Sequence, residues 1–290
     1  MVGKCARALT ALDYYQFMVD AFERFPSEGK PLTPWFRRLL GRSAPAKRHA
    51  LARAAKLVKN RQGLVLEFGV WQGRSINLLA QALPEDEIVG FDSFEGFPDD
   101  GRKDWEVEFS VDALPQVPGN VRLVKGFFAD TLPGFVSEMQ ESGSPTVKLL
   151  HIDCDIYSST KTVFDLLGNY IQPGTVVIFD ELIHYDTFPE NEFLAFYEFL
   201  EARTLAFEWA LTAGTCMAFA DWCAASKAGT LPESWAAFRE RGFHQSAVVR
   251  ICERGPDHAR RLARCRAPAE QALANRPLRQ PLWSGATSNS

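Results

Sequence analysis

The sequence predicts an α/β protein built on a doubly wound, mostly parallel, seven-stranded sheet, with a helical segment ahead of it. Two observations predict this fold. Short apolar runs alternate along the chain with segments whose apolar residues have helical spacing. The runs are too continuously apolar for half-exposed antiparallel strands, so they are typical of buried parallel strands. Repeated strand–helix units of this kind join by right-handed crossovers into a doubly wound sheet.

Five strands follow from these runs, in chain order. They are GLVLEF (63–68), EIVGF (87–91), VRLV (121–124), VKLLHI (147–152) and TVVIF, which ends at Phe179. The intervening segments SINLLAQAL, TLPGFVSEMQ and SSTKTVFDLLGNY predict helices. Pro173 and Gly174 form a stop signal before the fifth strand.

Beyond the fifth strand, ENEFLAFYEFLEAR predicts a helix and AFEWALT a sixth strand. Two segments are candidates for the seventh strand, CMAFA (216–220) and SAVVRI (246–251). In the second case, residues 212–245, with Trp222, Trp235 and Phe238, form an insertion near the mouth of the site.

The flanking regions differ from the sheet domain, which we assign to residues 61–253. Residues 1–60 contain two amphipathic helices separated by SEGKPLTPW, and they form a cap over the site, a homo-oligomer contact or part of the core. We expect a homo-oligomer through these helices. Residues 254–290 carry seven arginines against Asp257 and Glu270. We expect a solvated, partly helical basic tail with a disordered end, and we prefer this to a polyanion contact.

Composition excludes several classes of protein. The chain has 290 residues, 46% of them hydrophobic, and its net charge of -4 disfavours a nucleic-acid surface. No run approaches the about 20 apolar residues of a membrane-spanning helix, and the N-terminus lacks the apolar core of a secretory signal. We therefore expect a cytoplasmic protein without a membrane partner. The six cysteines form no CxxC pair, which predicts free thiols and disfavours a cysteine zinc site.

Acidic residues end two neighbouring strands of the predicted sheet. Asp153 and Asp155 follow the fourth strand, and Asp180 and Glu181 follow the fifth. Parallel strands end at one edge of a sheet, where ligands of such folds bind. Four carboxylates repel one another there unless a hard divalent cation or a network of basic partners neutralises them. The alternative is that the four acids share no function and serve as helix N-caps and surface charges.

A glycine turn follows the first strand in EFGVWQGRS, where three residues separate Gly69 from Gly73. This spacing is not the GxGxxG of nicotinamide enzymes. Glycine allows the backbone to approach a ligand closely, and Ser75 opens the next helix at a position suited to an anionic group. Asp92 ends the second strand about 20 residues later, where an acid takes the ribose hydroxyls of an adenosine ligand. Together these features predict an adenosine-containing cofactor.

Five motifs, in chain order, carry a family resemblance: LEFGVWQGRSINLLA, GFDSFEGFP, VKGFFADTLP, LLHIDCDIYSSTKTVFDLL and PGTVVIFDE. With them the chain resembles the class I S-adenosylmethionine-dependent methyltransferases, specifically the macrocin O-methyltransferase group, which methylates sugar hydroxyls of natural products. The resemblance covers roughly residues 60 to 210. The first two motifs are shared by much of the superfamily, whereas HIDxDxYxST followed by an acidic pair is more specific.

The resemblance implies roles for the residues at matching positions. The cofactor S-adenosylmethionine would meet Glu67, Gly69, Gly73 and Ser75 at its methionine end and Asp92 at its ribose, with Ser93 adjacent. Mg²⁺ would be held by Asp153, Asp180 and Glu181, and Asp155 resembles the proposed general base. Glu181 departs from the family, which usually has aspartate at that position, and its extra methylene puts its role as a ligand in doubt.

Other residues near these motifs have two interpretations. His151 lies inside the fourth strand, on the side of Asp153 but deeper, and we interpret it as a core or near-site histidine. His184 follows the acidic pair in a loop, and we predict that it contacts the substrate or assists proton transfer. Cys154 is predicted to pack. Phe127 and Phe128 flank adenine or belong to the core.

These observations favour a Mg²⁺- and S-adenosylmethionine-dependent O-methyltransferase that acts on a hydroxyl of a sugar or small natural product. Coordination to the metal lowers the pKa of the hydroxyl, and a carboxylate takes the proton. One alternative is a catechol-type metal-dependent O-methyltransferase, and another is a catalytically silent adenosine-binding module. A nicotinamide-dependent dehydrogenase is disfavoured because it would need GxGxxG and has no use for the acids at the strand ends.

Overall fold

The computed structural model describes residues 9–26, 44–98, 109–143, 145–214 and 216–279. Its centre is one seven-stranded sheet with the strand order β3-β2-β1-β4-β5-β7-β6. The strands are β1 (Leu64–Phe68), β2 (Ile88–Asp92), β3 (Val121–Lys125), β4 (Val147–Ile152), β5 (Val176–Phe179), β6 (Leu205–Gly214) and β7 (Phe243–Glu253). The five strands predicted from apolar runs are confirmed to within a residue or two at their ends. The predicted doubly wound α/β class is confirmed with them.

The first five strands of the chain run parallel to one another, and β7 runs in the opposite direction. β1 to β5 pair in parallel, whereas β7 runs antiparallel between β5 and β6. Of the two candidates for the seventh strand, SAVVRI lies in β7, where Val248, Val249 and Ile251 are buried. The other candidate is wrong, because Phe219 and Ala220 belong to a helix. The sixth strand is confirmed by β6.

Helices cover both faces of the sheet. They are α1 (Ala11–Glu23), α2 (Ala44–Val58), α3 (Arg74–Ala82), α4 (Phe128–Glu141), α5 (Tyr157–Leu167), α6 (Glu192–Arg203), α7 (Phe219–Lys227), α8 (Trp235–Glu240), α9 (His258–Arg264) and α10 (Arg266–Asn275). Successive residues of a strand point to opposite faces, so each central strand contributes to two cores. Val65 and Leu149 pack with α2 and α3, whereas Leu66 and Leu150 pack with the larger cluster on the opposite face.

Helix α1 belongs to the core of this chain. It begins with a capping box, in which the Asp13 N–H donates to the Thr10 hydroxyl and the Asp13 carboxylate accepts from the Thr10 N–H. Tyr14 and Tyr15 are fully buried, and the Tyr14 hydroxyl donates to the Pro189 carbonyl over 2.8 Å. This face of α1 is therefore used within the chain, and the homo-oligomer contact stays a prediction.

Four arginines of the predicted basic tail have partners on the body of the protein. Arg254 pairs with Glu201, Arg261 with Asp20, Arg276 with Glu190 and Arg279 with Asp186. Residues 254–279 contain α9 and α10, which pack against α1 and α7 while many of their side chains stay exposed to solvent. The predicted disordered end, residues 280–290, lies outside the described residues. Within the described ranges no helix is both long and apolar enough to cross a membrane.

The chain reverses its direction across the sheet between β1 and β4, which is where doubly wound sheets bind ligands. Gly69 follows β1 at this point with φ of +92°, and a Cβ there would lie 1.9 Å from the Asp153 carbonyl oxygen. The carboxyl ends of β1 and β4 can approach this closely only because residue 69 has no side chain.

We expect Gly69→Ala to lower the free energy of unfolding by about 3 kcal/mol, because it adds both a backbone clash and an unfavourable φ. Urea unfolding monitored by circular dichroism measures this loss. Gly134→Ala is the matched control, since nothing lies within 4 Å of a Cβ built on that helical glycine. The control should be neutral or stabilising by about 0.5–1 kcal/mol. Equal stability of the two variants would contradict the close approach of β1 and β4.

Candidate active site

A cavity of about 990 Å³ opens at the carboxyl ends of the central strands. Most of the residues singled out in the sequence line it: Gly69, Ser75, Asp92, Ser93, Phe127, Phe128, Asp153, Cys154, Asp155, Asp180 and Glu181. The glycine turn and the end of β2 line one part of the cavity and the acids that follow β4 and β5 line the other, and the two parts meet where Gly69 lies beside Asp153. The residues of the glycine turn and the acids at the strand ends, which lie in separate sequence motifs, thus line one cavity.

Asp92 braces the glycine turn. One of its carboxylate oxygens accepts from the Val70 and Trp71 N–H groups over 2.7 Å each, and the other accepts from Phe94 N–H over 2.6 Å. Trp71 holds a positive φ of 47°, which is uncommon for a bulky residue and needs support from its surroundings. Asp92 therefore shapes this end of the cavity and also lines it.

Glu67 lies beneath the glycine turn. Its side chain is fully buried and is not among the described residues that line the cavity. One carboxylate oxygen accepts from the Ser75 hydroxyl over 2.8 Å, and the other lies 3.0 Å from His151 Nδ1. Both oxygens face protein groups, so this geometry gives the predicted contact between Glu67 and a cofactor no support, and the contact stays a prediction. Glu67 supports the site from below.

Gly73 and Ser93 are also engaged with the chain itself. Gly73 precedes α3 with φ of +76°, and its Cβ position is closed by Pro115, so it shapes the turn without lining the cavity. The Ser93 hydroxyl donates to the Gly96 carbonyl over 2.6 Å and accepts from the Glu95 N–H. Ser93 therefore holds the loop after β2 at the edge of the cavity.

Three side chains near the ends of β4 and β5 could hold a cation together. His151, Asp153 and Asp180 each offer a ligand atom, and these atoms lie within 4.8 Å of one another. Glu181 lines the cavity but is not in this group, so the geometry gives its predicted role as a ligand no support. His151 is the third member of this candidate group. A histidine that meets a carboxylate through Nδ1, as His151 meets Glu67, is the usual arrangement for presenting Nε2 to a metal.

Asp155 lies in a tight turn that directs it into the cavity. Its φ is +62°, and the N–H of Ile156 donates to the carbonyl of Cys154 over 2.7 Å. This hydrogen bond closes a three-residue γ-turn of the rare type with positive φ. Cys154, beside it, is buried, and burial raises the pKa of its thiol well above the usual range, with nearby carboxylates adding to the effect. Cys154 is thus a neutral thiol.

Glu192 is a residue of this site that the sequence analysis missed. It opens α6, is fully buried, and one carboxylate oxygen accepts from the N–H groups of Cys154 and Asp155 over 3.3 and 3.2 Å. Burial raises the pKa of Glu192 well above its usual range, and the negative charges of Asp155, Glu181 and Asp153 raise it further. An acid in the first turn of a helix is common, so no local pattern distinguishes Glu192 from an ordinary helix-start acid.

His184 lies outside the lining of the cavity. Its ring is 1% exposed and packs among aromatic rings, with centroids 6.3 Å from Phe22 and 5.1 Å from Phe243. It is not among the described residues that line the cavity. This position gives the predicted catalytic role of His184 no support, and that role stays a prediction. The backbone after Glu181 turns inward here, because Leu182 and Ile183 donate to the Gln245 carbonyl and direct the loop against β7.

The predicted insertion supplies one wall of the cavity. Residues between β6 and β7 form α7 and α8, and Arg239 of α8 lines the cavity together with Gln245 and Ser246 of β7. Trp222 and Phe238, by contrast, are buried in the protein. This wall faces the acids, so it is placed to contact a second ligand beside them.

The fold and cavity agree with a sequence comparison. Residues 66–182 match the family Methyltransf_24, described as a methyltransferase domain. The matched segment contains the glycine turn, Asp92 and all four acids of the strand ends. The match covers less than half of the chain, and the matched segment contributes four of the parallel strands and the start of the loop after β5 to the doubly wound sheet.

Several known proteins are similar to the chain. It is 30% identical over 183 residues to the 8-demethyl-8-(2,3-dimethoxy-alpha-L-rhamnosyl)-tetracenomycin-C 4'-O-methyltransferase of Streptomyces olivaceus. That alignment covers 50% of this chain and 66% of the relative, slightly less than two thirds of the relative's length. Among solved structures, the calicheamicin methyltransferase CalS11 is 21% identical with a TM-score of 0.49, covering 86% of this chain and 98% of that one. TomG of Streptomyces achromogenes, an O-methyltransferase involved in tomaymycin synthesis, is 16% identical with a TM-score of 0.43, covering 85% and 92%.

Proposed function

We propose that the protein is an S-adenosylmethionine-dependent O-methyltransferase that methylates a hydroxyl of a sugar or small natural product with the help of a divalent cation. The observation that carries the proposal is a single cavity with a braced glycine turn at one end and Asp153, Asp155 and Asp180 at the other. Methyl transfer needs a donor and an acceptor side by side, and these two ends supply a site for each.

The donor binds at the glycine turn. Gly69 leaves room for the methionine end of the cofactor, and Asp92 meets the ribose while it holds the turn through its three backbone contacts. Ser75 lines this end of the cavity and is fixed by Glu67. Phe127 and Phe128 line the cavity near β3, where an adenine ring would pack against them.

The acceptor binds among the acids. An alcohol proton is held far above neutral pH, so the hydroxyl must lose proton density before its oxygen attacks the methyl group. Asp155 is the proposed base, and its turn directs the carboxylate into the cavity. Asp153 and Asp180, with His151 beside them, would hold a cation that lowers the pKa of the bound hydroxyl.

The donor set bears on which cation binds. Mg²⁺ prefers oxygen ligands, which Asp153 and Asp180 provide. An imidazole nitrogen from His151 would make the site equally suitable for Mn²⁺, a softer ion that accepts nitrogen more readily. We therefore propose a site that Mg²⁺ or Mn²⁺ can fill, with Glu181 outside the set of ligands.

A sugar hydroxyl is favoured over a catechol as the acceptor. The Streptomyces olivaceus relative is a 4'-O-methyltransferase of a rhamnosyl tetracenomycin. Arg239 and Gln245 line the acceptor side with polar groups, which suit the several hydroxyls of a sugar. A planar diol remains the second candidate because the same acids would hold it.

The test is methyl transfer from radiolabelled S-adenosylmethionine to a set of probes with Mg²⁺ or Mn²⁺. The probes are a rhamnosylated aromatic aglycone, a nucleotide-linked rhamnose and 3,4-dihydroxybenzoate. We expect label in a rhamnosyl product, loss of transfer in excess EDTA, and recovery when the cation is restored. Label only in the dihydroxybenzoate would favour the catechol-type enzyme. Tight S-adenosylhomocysteine binding by calorimetry without transfer to any probe would favour the silent binding module.

A further inference from the structure

Asp155 occupies a backbone conformation that does not form readily by itself. A non-glycine residue at φ of +62°, closed by a hydrogen bond between residues two apart, is in a sparsely populated and strained conformation. Such a turn persists only where neighbouring groups hold it. The group that holds it therefore decides where the Asp155 carboxylate points.

Glu192 is that group. Its Oε1 accepts from two consecutive backbone N–H groups, those of Cys154 and Asp155, which form the first half of the turn. A single acceptor shared by adjacent N–H groups fixes their relative direction, and this direction sets the orientation of the peptide plane before Asp155. Glu192 reaches the turn from α6, a helix 37 residues away whose side chains are largely buried.

The position of Glu192 rules out direct contact with a ligand. Its side chain is fully buried, and it is not one of the described residues that line the cavity. It therefore acts on the cavity only through the backbone it holds. The rigid packing of α6 against α5 makes it a fixed anchor.

We propose that Glu192 is a positioning residue, which holds the turn at Cys154–Asp155 so that the Asp155 carboxylate faces the acceptor hydroxyl. The inference rests on the proposed function, in which Asp155 takes the hydroxyl proton. In this proposal the turn is held by the Glu192 oxygen that accepts the two hydrogen bonds, and not by its charge. Glutamine has an equivalent oxygen at the same position along its side chain.

Three variants test the proposal. Glu192→Gln keeps an acceptor for the two N–H groups, whereas Glu192→Ala removes it. Glu198→Ala is the matched control, since Glu198 is a second buried acid of α6 that accepts from the Tyr157 hydroxyl over 2.8 Å and makes no contact with the turn. Calorimetric titration with S-adenosylhomocysteine establishes for each variant that the folded cofactor site is intact.

The first readout is amide hydrogen exchange at Cys154 and Asp155, measured without any acceptor substrate. We expect exchange at both amides to rise at least about tenfold in Glu192→Ala and to stay near the wild-type rate in Glu192→Gln and Glu198→Ala. Unchanged exchange in Glu192→Ala would overturn the inference. An equal rise in Glu198→Ala would also overturn it, because the effect would then be general loosening of α6.

The second readout is kcat with whichever probe is methylated. We expect kcat to fall about 100-fold in Glu192→Ala, at unchanged KM for S-adenosylmethionine, and to change less than about threefold in Glu192→Gln and Glu198→Ala. A loss in Glu192→Gln as large as in Glu192→Ala would contradict a role as acceptor. If the wild type methylates no probe, the proposed function fails, while the exchange readout still decides whether Glu192 holds the turn.

Discussion

Asp153→Ala and Asp180→Ala are each expected to reduce methyl transfer about 1,000-fold or more while leaving cofactor affinity within about threefold. Both carboxylates end central strands and lie beside His151, and either substitution removes a cation ligand. Gly69 lies beside the backbone of Asp153, which both substitutions leave in place, and Asp92 holds the glycine turn through its own contacts, so the cofactor is expected to keep its site. Single-turnover transfer of radiolabelled methyl measures the first quantity, and calorimetry with S-adenosylhomocysteine measures the second.

The control for these variants is Asp165→Ala. Asp165 lies on the exposed side of α5, where it pairs with Lys161, and an exposed pair contributes little to stability. The Asp165→Ala variant should transfer the methyl group at the wild-type rate. Wild-type turnover in excess chelator, or turnover by Asp153→Ala within tenfold of the wild type, would refute the role of the cation.

Asp92→Ala is expected to weaken S-adenosylmethionine binding at least about 100-fold. The substitution leaves the N–H groups of Val70, Trp71 and Phe94 without their carboxylate acceptor. A hydrogen bond to a charged group contributes about 1.5–3 kcal/mol, so loss of these bonds together releases the turn that carries Gly69. Loss of the proposed ribose contact adds to the effect. Isothermal titration with S-adenosylmethionine and S-adenosylhomocysteine measures the change.

Asp92→Asn separates the two contributions. Asparagine retains one oxygen acceptor and the same shape but loses the charge, so we expect affinity between those of the wild type and Asp92→Ala. A thermal unfolding midpoint for each variant distinguishes a loosened turn from a lost ligand contact. Wild-type affinity in Asp92→Ala would show that the cofactor binds elsewhere.

The strands were predictable because burial on both faces leaves a continuous apolar signal. TVVIF and VKLLHI are recognisable without any knowledge of their neighbours. The acids followed from the same signal, since a residue directly after a parallel strand lies at the edge of the sheet where ligands bind. The two-residue period of a strand also placed His151 on the side of Asp153, although its presence in the cation group depends on distances that only the fold gives.

The remaining features depend on contacts between distant parts of the chain. The seventh strand was ambiguous because it pairs out of order, between β5 and β6, and nothing local to SAVVRI marks those partners. His184 comes only three residues after Glu181, yet aromatic rings from α1 and β7 enclose it. Glu192 is 37 residues from Asp155 along the chain, and only the packing of α6 brings its carboxylate to the turn.

The packing of α1 against segments far along the chain constrains when the protein can finish folding. Tyr14 and Tyr15, near the start of the chain, bond to the carbonyls of Pro189 and Arg276, and α1 packs against α10. During synthesis α1 therefore emerges first and waits for its partners until residue 276 has left the ribosome. An apolar helix that waits this long is exposed to misassembly, and loops joining such distant segments close slowly. The packing of α1 against α10 is therefore expected to form late in folding.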